Sequence, residues 1–371
     1  MKVVISTRNF IYPLGGFEEH IYQLLKGFRK KKVECEVLTT TLYSENMNYH
    51  EESCEGLTIK RFPIDYTWLG YCYSKRLSEA LTDVECDLIH AQGWRNHAVR
   101  AAINIACRRN KASVLTPHGL YHPGRYSIIK SLYNTLFGKR VIKRTTIIAL
   151  TNHQVETYHK MGAKKVSVIP NGIDFETFSL KPKTSVFESM NIKSKKTILC
   201  VGRIAWYKGF QDIINALPTI LAKNPDVCFI IVGEDWGAMD RLKVLAKKNG
   251  VSESVFFTGF LSKEKLISAY HEADLFISSA AYEGFGINIL EAMAAGNPVI
   301  ATKTGVALDL EDAVLTYEYG NSEKLGQHID RVLSDEEVAK EIGQKSAEIA
   351  SNFSWDKVIN QLLLLYKEMI N

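Results

Sequence analysis

The sequence predicts an α/β protein made of two doubly wound domains, each a parallel sheet covered by helices on both faces. Three observations carry that expectation. Short runs rich in β-branched residues alternate with longer segments of helical period. The alternation occurs twice, once on each side of the turn-rich stretch Pro170-Asn171-Gly172-Ile173-Asp174. The strands are continuously apolar, as strands buried on both faces of a parallel sheet are. The first domain is therefore expected at residues 1–170 and the second at 171–354, the second opening on a polar segment, 181–196, with no clear strand.

Taken in order, Met1-Lys2-Val3-Val4-Ile5-Ser6 lacks the apolar core of a signal peptide and reads as the first strand. Further strands are expected at 35–39, 88–91, 113–116, 147–149 and 166–169, with helices at 17–30, 95–108, 128–143 and 151–161. The second half repeats the rhythm. Its strands fall at 198–201, 229–232, 255–258, 275–278 and 299–301, and its helices at 210–222, 239–248, 263–271 and 287–295. Helical patterns at 336–350 and 355–370 close the chain. Ligands of doubly wound sheets bind beyond the carboxyl ends of the strands, so two facing domains imply a cleft between them as the natural site.

Composition narrows the class. Of 371 residues, 46% are apolar and 23% charged, which excludes a disordered chain. No apolar stretch approaches the ~20 residues of a spanning helix. The seven cysteines have long spacings, and several lie in apolar runs, such as Ile198-Leu199-Cys200-Val201. They read as reduced, buried side chains in a reducing compartment, so the expected location is cytoplasmic. The net charge of +5 divides unevenly: residues 1–170 hold 25 Lys+Arg against 14 Asp+Glu, and residues 171–371 hold 21 against 27. No acidic residue lies between Asp87 and Glu156. That basic stretch is either a solvated face or a surface for an anionic partner. No recognised nucleic-acid module accompanies it, so nucleic acid is not expected.

Four motifs follow strands and carry chemistry. Glu283-Gly284-Phe285-Gly286-Ile287-Asn288-Ile289-Leu290-Glu291 places two glutamates around a glycine turn that opens a helix, where free N–H groups suit a phosphate. From spacing alone, a plain turn with Glu291 on a surface helix is an equal reading. Gly202-Arg203-Ile204-Ala205-Trp206-Tyr207-Lys208-Gly209 sets a bidentate cation and a point cation around one loop, an arrangement for a diphosphate. Neither a P-loop nor a G-x-G-x-x-G fingerprint occurs. Gly15-Gly16, after the first strand, allows close approach of backbone to a ligand. Thr116-Pro117-His118-Gly119 ends a strand with a histidine, and His90, ending another, is the weaker candidate. No D-x-D and no carboxylate/His cluster with ligand spacing is present, so no metal site and no cofactor are expected.

Together these pieces resemble the retaining GT-B glycosyltransferases of family 4. The resemblance runs the length of the chain through Gly15-Gly16, Thr116-Pro117-His118-Gly119, Ile169-Pro170-Asn171-Gly172-Ile173-Asp174, Gly202-Arg203 to Lys208-Gly209, the E-x7-E element and Phe353-Ser354-Trp355-Asp356. It implies two facing Rossmann-like domains, with a final helix, 355–371, crossing back onto the first. It implies an enzyme that moves a sugar from a nucleoside-diphosphate sugar to a hydroxyl of a glycan or lipid-linked glycan. By resemblance, Arg203 and Lys208 hold the diphosphate and stabilise its growing charge, in a front-face reaction with retention. Glu291 meets the ribose, and Glu283 meets the transferred sugar in a pocket lined by Gly284, Phe285, Gly286 and Ile287. Gly16 approaches the diphosphate, His118 the donor sugar, and Gly233, Phe260 and Leu261 flank the base. Where the family shows a Gly-Gly pair after the strand at 299–301, this chain has Gly305-Val306. The run 126–144, mixing Ile, Leu, Phe and Tyr with Lys and Arg, is a candidate for the inner face of an anionic membrane, and a core-packed helix is the equal alternative. A sugar-nucleotide epimerase of the same architecture and a non-catalytic sugar-nucleotide-binding subunit are the competing functions.

Overall fold

A computed structural model describes residues 1–10, 16–42, 44–54, 56–68, 71–119, 133–192 and 196–371. The chain divides into two compact units, Met1–Gly172 with Trp355–Asn371, and Ile173–Ser354.

The first unit holds strands β1 (Lys2–Thr7), β2 (Glu34–Thr40), β3 (His50–Cys54), β4 (Leu57–Phe62), β5 (Tyr66–Trp68), β6 (Tyr71–Tyr73), β7 (Leu88–Gln92), β8 (Ala112–Thr116), β9 (Thr146–Ala149) and β10 (Val166–Val168). Eight of them form one sheet in the order β10-β9-β8-β7-β1-β2-β4-β3. All its pairs are parallel except β3 with β4, and β5 pairs with β6 as a separate antiparallel ribbon. The central strands are buried along most of their length, which is why they read as largely apolar runs. Strands β3 to β6 escape sequence reading. Glu51, Glu52 and Ser53 of β3 are exposed, giving a charged edge that blunts further pairing, and β5 and β6 are three residues each. The helix Trp355–Ile370 packs on the helix Gly16–Lys30, where a Cβ at Gly27 would lie 2.5 Å from Ile359. Its Val358, Ile359, Leu362, Leu365 and Tyr366 share one core with Val3, Ile5, Leu25 and Phe28.

The second unit has one all-parallel sheet of β11 (Lys196–Val201), β12 (Val227–Val232), β13 (Val255–Gly259), β14 (Leu275–Ser278), β15 (Val299–Thr302) and β16 (Val314–Tyr317), in the order β13-β12-β11-β14-β15-β16. The order reverses direction at β11 and β14, the point where doubly wound sheets open a crevice at their carboxyl ends. Helices at Phe210–Lys223, Met239–Lys248, Lys263–Glu272, Ile287–Ala294, Ser322–Ser334 and Glu336–Ala350 surround it. The segment read as polar coil holds one short helix, Val186–Ser189, whose N-cap Ser185 accepts from the Glu188 N–H. Five of the seven cysteines are buried, Cys54 is half-buried and Cys107 is exposed, and all seven are free thiols.

Candidate active site

In the Ile173–Ser354 unit, the candidate residues lie in the loops that follow strands β11 to β15. The loop after β11 carries Arg203 and Lys208, and the loop after β14 carries Glu283. Sequence separation hides their meeting: Lys208 Nζ donates to Glu283 Oε1 across 75 residues. Both side chains are nearly enclosed, 13% and 14% exposed, so each neutralises a charge that solvent reaches poorly. The backbones around them are clamped as well. Ser279 Oγ donates to the Lys208 carbonyl at 2.8 Å, and the Ala281 N–H donates to the Tyr207 carbonyl at 2.8 Å.

Gly209 makes that clamp sterically possible. It sits at φ +76°, and a Cβ there would lie 1.8 Å from the Ser279 carbonyl oxygen. Gly305 plays the equivalent part on the far side, at φ +57°, where a Cβ would lie 2.3 Å from the Phe285 carbonyl oxygen and 3.1 Å from Glu283 Cβ. The departure from the family pattern thereby gains a physical account. The position that cannot carry a side chain against the Glu283 loop is Gly305. Val306 is 1% exposed, with its N–H bonded to the Phe285 carbonyl at 2.7 Å, so its side chain joins the core.

Arg203 is exposed but not loose. Its guanidinium donates to Tyr207 Oη at 3.1 Å and lies 4.5 Å from the centroid of Trp236, which follows β12. Glu291 lies one turn into the helix Ile287–Ala294, and its Oε2 accepts from Tyr270 Oη at 2.8 Å. Burial, with the neighbouring carboxylate, holds the Tyr270 phenol far above its usual range, so the phenol remains a donor. Asn288 Nδ2 donates to the Val201 carbonyl at 2.8 Å and ties the start of that helix to the end of β11. Gly284, Gly286 and Ile287 form the turn before and at this helix start, while the Phe285 ring is buried. The Gly233 N–H donates to the Gly259 carbonyl at 2.9 Å, bringing the ends of β12 and β13 together. Beyond them Phe260 is 76% exposed and Leu261 is buried.

In the other unit, Gly16 begins the helix Gly16–Lys30, and Gly15 lies outside the described residues, as do residues 126–132 of the candidate membrane run. His118 lies two residues beyond β8 at φ +57°, a backbone region that non-glycine residues seldom occupy. Its ring stands edge-on to Phe17 and His20, with centroids 4.9 and 4.6 Å away, and its Nε2 meets Gln92 Oε1 at 2.6 Å. Burial, reinforced by His20 and His90, pushes His118 well below the usual histidine range. Burial likewise takes His20 down to about 4, against an opposing contribution from Asn171. His90 is deeply buried and bonded on both ring nitrogens, so it supports the site from beneath.

Tyr207, Trp236, Tyr270, Asn288 and Gln92 were not legible as site residues. For Gln92 a signal existed: it stands two residues after His90 on one strand, so both share a face. Among the described residues, no group of three or more His, Cys, Asp and Glu side chains is placed to hold a metal ion, and no helix is long and apolar enough to cross a membrane.

Comparison with known proteins gives the class to which these parallel sheets, cation-bearing loops and glutamate-bearing helix belong. A family model described as Glycosyltransferase Family 4 matches residues 14–177, and one described as Glycosyl transferases group 1 matches residues 183–349. An uncharacterized glycosyltransferase of Methanocaldococcus jannaschii is 28% identical over 99% of this chain and 98% of its own. The GDP-mannose:cellobiosyl-diphosphopolyprenol alpha-mannosyltransferase of Komagataeibacter xylinus is 23% identical over 100% of this chain and 94% of its own. The crystal structure of Anabaena HepE in complex with UDP has the same fold, with a TM-score of 0.80 at 20% identity, covering 99% of this chain and 100% of that one. The chain belongs to the GT-B glycosyltransferases of the family 4 type.

Proposed function

We propose that this enzyme transfers a sugar, with retention and without a metal, from a nucleoside-diphosphate sugar to a hydroxyl of a glycan or lipid-linked glycan. The observation that carries the reading is the enclosed Lys208–Glu283 pair beside the Trp236-stacked Arg203. Two cations at one strand-end loop suit a diphosphate whose charge grows as the glycosidic bond breaks, and fixed charge in a poorly solvated place acts on that growth without reorganising. On this reading Lys208 and Arg203 stabilise the leaving group, and Glu283 orients Lys208 and meets sugar hydroxyls. Glu291, anchored by Tyr270, accepts from the ribose. Gly233, Phe260 and Leu261 flank the base, and Gly16 and His118 keep the roles given above.

The relatives' names support the choice of donor: HepE is described with UDP and with UDP-glucose, and the mannosyltransferase names GDP-mannose. Calorimetric titration with UDP, GDP and ADP, with EDTA present, tests it. One nucleotide is expected to bind, and Glu291→Gln, which retains an acceptor for Tyr270, is expected to weaken it about tenfold or more, the weight of a charged hydrogen bond. Failure of all three to bind would overturn the reading. Products formed without an acceptor would favour the epimerase.

We also propose peripheral attachment to an anionic membrane. Leu136 and Phe137 are exposed on a helical stretch whose other exposed residues include Lys139, Arg140, Lys143 and Arg144, and apolar contact and basic charge act together on such a surface. Flotation with phosphatidylserine vesicles at low salt is expected, and absence of binding there removes the proposal.

A further inference from the structure

Beneath His118 runs a buried polar chain that the reaction proposed above does not use. His90 and Gln92 stand on the same face of β7, 1% and 0% exposed. From the C-terminal helix, Tyr366 Oη meets His90 Nδ1 at 2.5 Å, and from β8 Thr116 Oγ1 meets His90 Nε2 at 2.8 Å. Gln92 joins the two histidines: its amide nitrogen lies 3.0 Å from His90 Nε2 and 3.4 Å from His90 Nδ1, over the ring, and its amide oxygen lies 2.6 Å from His118 Nε2.

The Gln92 amide nitrogen lies over the face of the His90 ring, and the two ring nitrogens of His90 meet hydroxyls, Tyr366 Oη and Thr116 Oγ1, each able to donate or accept, so His90 takes either tautomer. An amide oxygen only accepts, so His118 Nε2 holds the hydrogen that Gln92 receives. Burial keeps both rings neutral, taking His90 down to about 3 and His118 well below its usual range. His118 Nδ1 is therefore a bare lone pair, with no hydrogen-bond partner among the described residues.

The structure assigns Gln92 as the positioning residue of His118: it holds the ring by Nε2 and presents Nδ1 as an acceptor only, so the ring receives a substrate hydroxyl and disfavours a phosphate or carboxylate oxygen. The clause about substrate rests on the function proposed above, whereas the protonation pattern does not. The hydrogen bond also supports a ring carried on a left-handed backbone and flanked by Phe17 and His20. Tyr366 makes the C-terminal helix the far anchor of the same chain.

Long-range ¹H–¹⁵N spectra of the full-length chain with ¹⁵N-labelled histidine, recorded without substrate, test this directly. His118→Asn and His90→Asn supply the assignments. The expected result is His118 protonated on Nε2 and bare on Nδ1. Gln92→Met is expected to shift both His118 ring nitrogens toward the averaged values of a free ring, while Tyr366→Phe disturbs His90 first. His118 protonated on Nδ1 would overturn the assignment, as would a His118 pattern unchanged by Gln92→Met. If Gln92→Met fails to fold, the wild-type spectrum alone decides. Because no turnover is read, failure here is distinct from failure of the glycosyltransferase reading, which rests on nucleotide binding.

Discussion

Replacing Gly209 by alanine tests whether close backbone approach holds the cation loop in place. Two separate penalties follow from the structure. At φ +76° an alanine adopts the left-handed region, which costs about 1–2 kcal/mol. Its Cβ would also lie 1.8 Å from the Ser279 carbonyl oxygen, so restoring even a 3.0 Å contact separates the two backbones by about 1.2 Å. A packed interior yields to such insertion at about 1–3 kcal/mol, giving a total of about 2–5 kcal/mol. For a unit of this size that corresponds to a fall in melting temperature of roughly 10 °C. Gly250 provides the control, since it has φ +70° with nothing within 4 Å of a Cβ. Gly250→Ala carries the conformational penalty alone, so its melting temperature is expected to fall by roughly 4 °C. Scanning calorimetry of both variants and titration with the cognate nucleoside diphosphate supply the readouts. Gly209→Ala is expected to weaken nucleotide binding as well, because the displaced Ser279 and Tyr207 contacts hold Lys208 against Glu283. Equal losses of stability in the two variants, or undiminished nucleotide binding by Gly209→Ala, would refute the steric argument.

Two further outcomes follow. Trp236 is 59% exposed and supports Arg203 through its ring face, so Trp236→Ala is expected to weaken nucleoside-diphosphate binding about two- to fivefold, as loss of an exposed cation–π contact does, and Trp236→Phe is expected to restore most of it in the same titration. Burial pushes the Glu272 carboxyl up, but hydrogen bonds from Ser185, Ser268 and the Val186 and Phe187 N–H groups outweigh it and leave the carboxyl below its ordinary value. Its folded-state value is thus depressed, so its stabilising contribution is present above the unfolded-state value of about 4.3 and lost as pH falls through the folded one. Urea midpoints are expected to differ between wild type and Glu272→Gln at pH 7, with the difference shrinking as the pH falls through the carboxylate range, and a difference independent of pH would contradict the attribution.

The fold class was readable because its signal is local. A strand buried on both faces is apolar along most of its length, and β1, β7, β11, β12 and β14 carry such runs; a helix between strands has to be amphipathic, and the segments between them are. Strands that meet neither demand stayed hidden, such as the charged edge β3 and the short aromatic ribbon of β5 and β6. The motif loops were readable because glycine, a cation or a glutamate directly after a strand marks a place where chain meets ligand. Pairing was not readable. Nothing in one dimension joins Lys208 to Glu283, Arg203 to Trp236, or Tyr366 to His90 across 276 residues, because which strand ends lie side by side depends on sheet order. Val306 shows the division within a single residue. The sequence by itself determined that a glycine of the usual pair is missing. Only the tertiary structure decided that the loss is tolerated: the close approach to Phe285 and Glu283 falls on Gly305, while the Val306 side chain turns into the core, where a β-branched residue adds buried apolar surface and obstructs nothing.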